Sequence, residues 1–353
     1  MAKLINIDEL KGGEILAVDV ITGDFKVLLS ASTPIKKEYI EKLKELGISQ
    51  VKIQTEELEH EHSVILKEEV KQVCLNRVKD VLERHTYSNN SELMEINSTA
   101  EDVIQNILSD EQTVEKIYEI KERTPDIYEH SLTVCSMAIL TGIKLDLPKD
   151  VIHDIGIASL LHDLGLRYIT VNYFNTDIST LHERDQEEYR KHTVYGYTAV
   201  IHEQWISERA KRILLFHHEK KGGLGYPLHA TEIPIECQVL GVCETFDELI
   251  CGIGCIPVKV PEAIEFIKSI KGQLFDVEVV EAFFQFIAAY PMDTIVKLSD
   301  NTIGIVINQN KGFPERPVLR LVKDKDGNTC KTEIIVDLIK IHNVVIESTI
   351  DKL

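Results

Sequence analysis

At 353 residues the chain is longer than one hydrophobic core ordinarily serves, so two or three domains are expected. Its 44% hydrophobic and 27% charged residues fit a soluble globular protein, while 58 acidic against 39 basic residues, net charge −19, argue against DNA, RNA or an anionic membrane as partner. No signal-peptide pattern opens the sequence and no apolar run reaches the ~18 residues of a spanning helix, which points to a cytoplasmic protein whose phosphate-bearing ligands would need bound cations.

Residues 1–55 read as a small α/β unit. Apolar runs at 14–20 and 25–29 flank Thr22, Gly23 and Asp24, which have hairpin chemistry; 35–46 then sets Ile40, Leu43 and Leu46 on one helical face before Gly47, and 50–53 returns as a strand. Residues 56–98 form a charged helical linker, broken by Ser88, Asn89, Asn90 and Ser91. His60 and His62 within it would face opposite sides of a helix and belong to a solvated face.

Across 99–290 the 3.6-residue period recurs at 100–122, 125–144, 149–163, 184–203, 206–218, 233–251, 260–271 and 276–289. This predicts an all-helical core with two long loops, 165–183 and 219–232, of a kind that is often functional. After Tyr290 and Pro291 the period falls to two, at 294–298, 303–307, 318–322 and 332–338, with turn residues at 299–301 and 324–328. The fold class is therefore mainly α: an all-helical core, 99–290, between a small N-terminal α/β unit and a small C-terminal β-rich module, 291–353.

Seven cysteines without a CxxC pair suggest neither a disulfide framework nor a zinc ribbon. The histidines are more informative. The helix 149–163 ends on adjacent His162 and Asp163, whose side chains leave the backbone in different directions and can address two neighbouring ions with the carboxylate between them. Asp126 and His130 project from one face of the helix 125–144, His192 follows the first long loop, and His217 and His218 end another helix. Taken singly, a histidine is more often a hydrogen-bonded structural residue, and Asp126 a charge at a helix N-terminus. Taken together, His130, His162, Asp163, His192, His217 and His218 form a set without thiolates, suited to iron, manganese or zinc; two close cations would bind a phosphodiester and activate water between them. His153, His182, His202, His229 and His342 have no supporting neighbours and are read as structural.

The ordered motifs Glu129-His130-Ser131, His162-Asp163-Leu164-Gly165, Lys191-His192-Thr193, His217-His218-Glu219 and Gly225-Tyr226-Pro227, continued at 242–247 and 275–283, resemble those of the HD-GYP phosphodiesterases of the HD phosphohydrolase superfamily. The likeness covers about 120–290. It implies an all-helical HD domain holding two or three divalent ions, iron or manganese, and hydrolysis of cyclic di-GMP or the linear dinucleotide by a metal-bound hydroxide. It implies Asp126, His130, His162, Asp163, His192, His217, His218 and Glu244 as metal ligands, with Asp163 bridging and His162 and Asp163 at the catalytic centre. Lys220, Lys221, Gly225, Tyr226 and Pro227 would face the cyclic dinucleotide or another phosphate ester. The sequence departs from the family's pattern at Leu166, where the family carries lysine, and at Glu244 and Asp126, where it carries aspartate and glutamate. It departs again at Gly222 and Leu224, and in 248–257, which has none of the family's phosphate-gripping arginines. These departures leave a second reading, a catalytically weak or inactive sensor that keeps the metal site, with a second copy of the chain or a signalling protein as its partner.

Overall fold

The computed structural model describes residues 2–7, 10, 12–16, 20–21, 27–30, 33–45, 50–54, 65–84, 93–109, 116–120, 123–330 and 332–350. The expected hairpin turn at Thr22 to Asp24, the helix stop at Gly47, the histidines His60 and His62 and the break at 88–91 lie outside these residues.

The chain divides into two compact units, Met1–His62 and Ser63–Leu353. In the first, β1 (Ala2–Asn6), β2 (Ile15–Leu16) and β5 (Gln50–Gln54) form an antiparallel sheet in the order β1-β5-β2, and β3 (Val20–Ile21) pairs with β4 (Val27–Leu29). Helix α1 (Lys37–Glu45) turns Ile40 and Leu43 toward Leu16, Ile35 and Val51, which bury together as a core. The three-residue spacing of Ile40 and Leu43 makes that face.

The second unit is mainly helical. Among the described residues its α-helices are α2 (Glu68–Arg84), α3 (Met94–Leu108), α4 (Ile127–Lys144), α5 (Lys149–Leu161), α6 (Glu183–Arg190), α7 (His192–Val200), α8 (Glu208–Phe216), α9 (Ile235–Cys251), α10 (Val260–Ile270) and α11 (Val277–Phe284). Helix α4 is buried on nearly every side from His130 to Gly142, where apolar and small hydroxyl side chains predominate. Its hydroxyls tolerate this because Ser131, Ser136 and Thr141 donate to the carbonyls of Ile127, Leu132 and Met137, one turn back. Buried α4 and α5 lie side by side, and α9 packs across α4, so the middle of the bundle is where polar side chains can be held away from water.

Three helical expectations are corrected. The period at 100–122 does not make one helix: α3 stops at Leu108, and Tyr118–Glu119 is a short strand, β6, paired in parallel with β7 (Ile287–Ala288). Tyr118, 1% exposed, fills the core there, so burial overrides local helical preference. The same pairing ends the segment 276–289 at Phe284. The segment 184–203 is two helices meeting at Lys191, which frees α7 to point its first residue, His192, inward.

Past Pro291 the chain forms an antiparallel sheet, β11-β10-β9-β8-β12, from β8 (Ile295–Leu298), β9 (Ile303–Asn308), β10 (Val318–Lys323), β11 (Ile335–Asp337) and β12 (Ile346–Ile350). Alternation buries Val296, Leu298, Val306 and Leu319 on one face. Among the described residues no helix is long and apolar enough to cross a membrane.

Candidate metal centre

Four helix ends and one helix face meet in the bundle. His130 lies in the first turns of α4, while α5 gives way to a 3-10 turn, His162–Tyr168, that begins with His162 and Asp163. His192 opens α7, His217 and His218 follow α8, and α9 contributes Glu244, Asp247 and Glu248 along one face. Gly165 makes the meeting possible. A Cβ at this position would lie 1.9 Å from the His192 carbonyl oxygen and 2.7 Å from the Gly196 nitrogen, so only glycine lets the 3-10 turn rest on α7. Gly165→Ala is expected to cost about 1–3 kcal/mol or more through overpacking. Urea unfolding checks this, and metal affinity should fall with stability because His192 is displaced.

Backbone carbonyls fix the imidazoles. The Nδ1–H of His162 donates to the Ser159 carbonyl at 2.7 Å, that of His192 to the Tyr189 carbonyl at 2.7 Å, and that of His217 to the Leu214 carbonyl. A carbonyl only accepts, so each Nδ1 carries the proton and each Nε2 turns a lone pair inward. His192 Nε2 and His217 Nε2 stand 3.2 Å apart, and His130 Nε2 and His162 Nε2 3.1 Å. Asp163 faces both pairs. Its Oδ2 is 3.4 Å from His162 Nε2 and 3.5 Å from His130 Nε2, and its Oδ1 is 3.7 Å from His192 Nε2. Glu244 Oε1 is 3.0 Å from His218 Nε2, 3.5 Å from His217 Nε2 and 4.0 Å from His162 Nε2.

Protonation follows burial. Burial pushes His162 down to about 4, outweighing the nearby Asp163 carboxylate, and holds His192 below and His217 and His218 well below the ordinary imidazole value. Burial opposes charge on His130 too, but hydrogen bonds to Asp247 and Cys251 overcome it and keep its pKa well above the ordinary value. Burial, with Glu248 and Asp163 adding to it, raises the Glu244 carboxyl well above the carboxylate range. The fit to a cation rests on orphaned atoms: His218 Nε2 and both Glu244 oxygens are buried without a hydrogen bond. The inward lone pairs of His192 and His217, 3.2 Å apart beside Asp163, repel unless positive charge lies among them. Groups of three ligand atoms, each within 4.8 Å of one another, occur at His130, His162 and Asp163, at His192, His217 and His218, and at Asp163, His217 and Glu244.

Asp126 is not among them. It is the N-cap of α4, with extended backbone, and its Oδ1 accepts from the Tyr128 and Glu129 N–H groups at 2.9 and 3.0 Å. A cap residue lies outside the helical turn, so it does not share His130's face. Lys220 and Lys221 are also engaged within the protein. Lys220 Nζ donates to Thr245 Oγ1 at 3.0 Å and lies 4.2 Å from the Phe275 ring centre, and Lys221 pairs with Asp276. The Gly225-Tyr226-Pro227 tripeptide packs on the segment that carries His218. A Cβ at Gly225 would lie 2.3 Å from both the His218 oxygen and the Lys220 nitrogen, while the Tyr226 ring stacks on the His218 ring at 4.6 Å. Pro227 follows through a cis peptide bond. The buried Glu219 carboxylate accepts from the Leu228 and Ala230 N–H groups and ties the loop down.

Two residues beside the centre have no counterpart in the expected ligand set. Asp247, fully buried, accepts from His130 Nδ1 at 2.7 Å and pairs with Arg123. Its three-residue spacing from Glu244 was the only signal available. Glu248 stands one turn beyond Glu244. The stretch after it, lacking arginine, is hydrogen-bonded to the first long loop: Asn175 donates to the Gly252 carbonyl, Gly254 to that of Tyr173, and Ile178 to that of Gly254. Leu166 is buried with Ile178 and Tyr189, so this wall is apolar. A cavity of about 220 Å³ reaches Asp163, lined also by Glu83, Tyr128, Arg167 and Tyr173.

The pattern that defines the HD domain matches residues 102–279, half of the chain. The chain belongs to the HD domain family. A KOW domain associated with HD domains matches 295–352, the C-terminal sheet. The HD domain family is metal-dependent, in accord with the clustered histidines and carboxylates. A cyclic di-GMP phosphodiesterase of Pseudomonas aeruginosa is 28% identical over 189 residues, 52% of this chain and 44% of the relative. The cyclic di-GMP phosphodiesterase PdeB of Borreliella burgdorferi is 23% identical over 197 residues, 55% of this chain and 51% of that protein. The chain spans about half the length of these curated relatives. Bd1817, an HDG"Y"P protein of Bdellovibrio bacteriovorus, shares the fold with a TM-score of 0.52 at 17% identity, covering 80% of this chain and 98% of its own.

Proposed function

We propose that this HD domain is a metal-dependent phosphodiesterase that hydrolyses cyclic di-GMP or its linear dinucleotide, with iron or manganese as the ions. The observation that carries this reading is Asp163, whose two oxygens face two different pairs of imidazoles. Divalent ions held there supply Lewis-acid chemistry for phosphoryl transfer to water. The chain's own residues do the rest. His130 and His162 on one side of Asp163, and His192, His217 and His218 on the other, would hold the ions through their imidazole nitrogens, while Asp163 and Glu244 would neutralise their charge. Ser159, Tyr189 and Leu214 orient the rings through their carbonyls, and Tyr226 keeps His218 in place by stacking. The cavity beside Asp163 admits the phosphate, with Arg167 as its cationic wall. The names of the Pseudomonas and Borreliella relatives supply the substrate class.

One observation favours the second reading, a sensor that binds without turnover: Lys220 and Lys221 are both committed to partners inside the protein. The test separates the two. Purified chain loaded with Mn²⁺ or Fe²⁺ is expected to convert cyclic di-GMP to the linear dinucleotide, followed by chromatography, and chelator-treated protein is expected to be inert. Metal-loaded protein that binds cyclic di-GMP without cleaving it would establish the sensor instead.

A further inference from the structure

Resting on the phosphodiesterase reading above, we propose that Tyr173 is a substrate-binding residue, whose hydroxyl donates a hydrogen bond to a phosphoryl oxygen of the ester and stands in for the lysine that this chain lacks at Leu166. Tyr173 lines the cavity of about 220 Å³ that reaches Asp163. Two other polar side chains of that wall are turned toward α2: the Tyr128 hydroxyl donates to Glu83 Oε1 at 3.1 Å, and Arg167 donates to the Glu83 carbonyl at 2.8 Å. The Tyr173 hydroxyl makes no hydrogen bond among the described residues, which leaves it for a ligand. A tyrosine ordinarily ionises at about 10. Burial pushes Tyr173 up to about 12, so at neutral pH the group carries its proton and donates.

Packing fixes where that donor stands. The Tyr173 carbonyl accepts from the Gly254 N–H at 2.7 Å, and Asn175, two residues on, donates to the Gly252 carbonyl at 2.7 Å. Both glycines directly follow α9, so this part of the first long loop is tied to the helix that carries Glu244. The ring packs on the cluster of Leu166, Ile178 and Tyr189, with its centre 6.2 Å from that of Tyr189 and edge-on to Phe174 at 4.7 Å. Leu166 and Tyr173 therefore belong to one wall. A lysine in place of Leu166 would need to carry its ammonium out of that wall, but here the side chain is apolar and the residue 1% exposed. The polar end on the same wall belongs to Tyr173. In this way the chain keeps a donor for phosphate without desolvating an ammonium among apolar side chains. A fixed hydroxyl aimed at an oxygen that gains charge in the transition state stabilises it as other preorganised donors do.

The test is Tyr173→Phe, which removes the hydroxyl and keeps the ring. In the full chain loaded with Mn²⁺, kcat/KM for cyclic di-GMP is expected to fall roughly tenfold or more. Affinity for inorganic phosphate, measured by calorimetry on the same protein, is expected to fall roughly tenfold. Mn²⁺ stoichiometry and the thermal midpoint in chelator should match wild type, because the packing on Phe174 and Tyr189 is kept. Loss of Mn²⁺ from Tyr173→Phe would make Tyr173 a support of the metal centre and overturn the inference, as would wild-type turnover and phosphate affinity in that variant. The phosphodiesterase reading fails separately. A wild-type chain that binds phosphate but leaves cyclic di-GMP uncut ends that reading, and the phosphate affinity of Tyr173→Phe then decides the inference by itself. A metal-loaded wild-type chain that neither cuts cyclic di-GMP nor binds phosphate overturns both.

Discussion

Asp163→Ala is expected to lose the two ions that share its carboxylate and to abolish hydrolysis of cyclic di-GMP, while its metal-free stability stays within about 1 kcal/mol of wild type. The asymmetry follows from where the charge is used. In the folded chain each Asp163 oxygen faces a different set of imidazole nitrogens, at 3.4 to 3.7 Å. Removing the carboxylate leaves nitrogen donors facing one another with no negative charge at the middle, and two divalent ions brought close would repel without it. The metal-free fold does not depend on that charge, because the histidine rings are anchored through their Nδ1 atoms to carbonyls and to Asp247 rather than through Asp163. Elemental analysis of Mn²⁺-loaded protein and thermal melts in chelator provide the two readouts. Unchanged metal content in Asp163→Ala would rule out a bridging carboxylate.

The helices that carry or end on His130, His162, His217 and Glu244 were legible because their apolar period runs unbroken, whereas the helix that opens with His192 read as part of one longer segment, 184–203, that breaks at Lys191. What the sequence could not disclose depends on contacts far apart in the chain. Asp126 sits four residues before His130, a helical spacing, but whether that stretch is already helix at residue 126 is settled by its own side chain turning back to the Tyr128 and Glu129 amides. Asp247 meets Arg123 and His130 across more than a hundred residues, so its three-residue spacing from Glu244 does not disclose those partners. The strand at Tyr118–Glu119 exists because Ile287–Ala288 lies beside it, and each alone would read as helix. Lys220 and Lys221 look available in a glycine-rich loop, yet Thr245, Phe275 and Asp276, all distant in sequence, take up both ammonium groups. In each case a partner supplied by the tertiary fold decides what a short segment can only suggest.

Asp247→Ala is expected to have the largest effect on stability, about 3–5 kcal/mol, because it strands a buried charge. Asp247 is fully buried and pairs with Arg123, whose side chain is only 16% exposed, so truncating the carboxylate leaves a guanidinium with little water and, as remaining counter-ion, the Glu129 carboxylate 4.0 Å from its Nε. The same substitution releases His130 Nδ1, whose 2.7 Å hydrogen bond to Asp247 sets both the ring's orientation and its protonated nitrogen. Loss of such a partner behind a metal-binding histidine typically costs 10–100-fold in metal affinity. The two effects are separable. Replacing Arg123 and Asp247 together by leucine removes both charges and should recover much of the stability, since a buried ion pair exchanged for apolar side chains of similar bulk is often neutral or favourable. It should not recover metal affinity, because His130 still lacks its acceptor. Urea unfolding in chelator measures the first effect and Mn²⁺ titration the second. Metal affinity that returns to wild type in the double variant would show that Asp247 acts only by neutralising Arg123, and that the His130 ring is held by its packing alone.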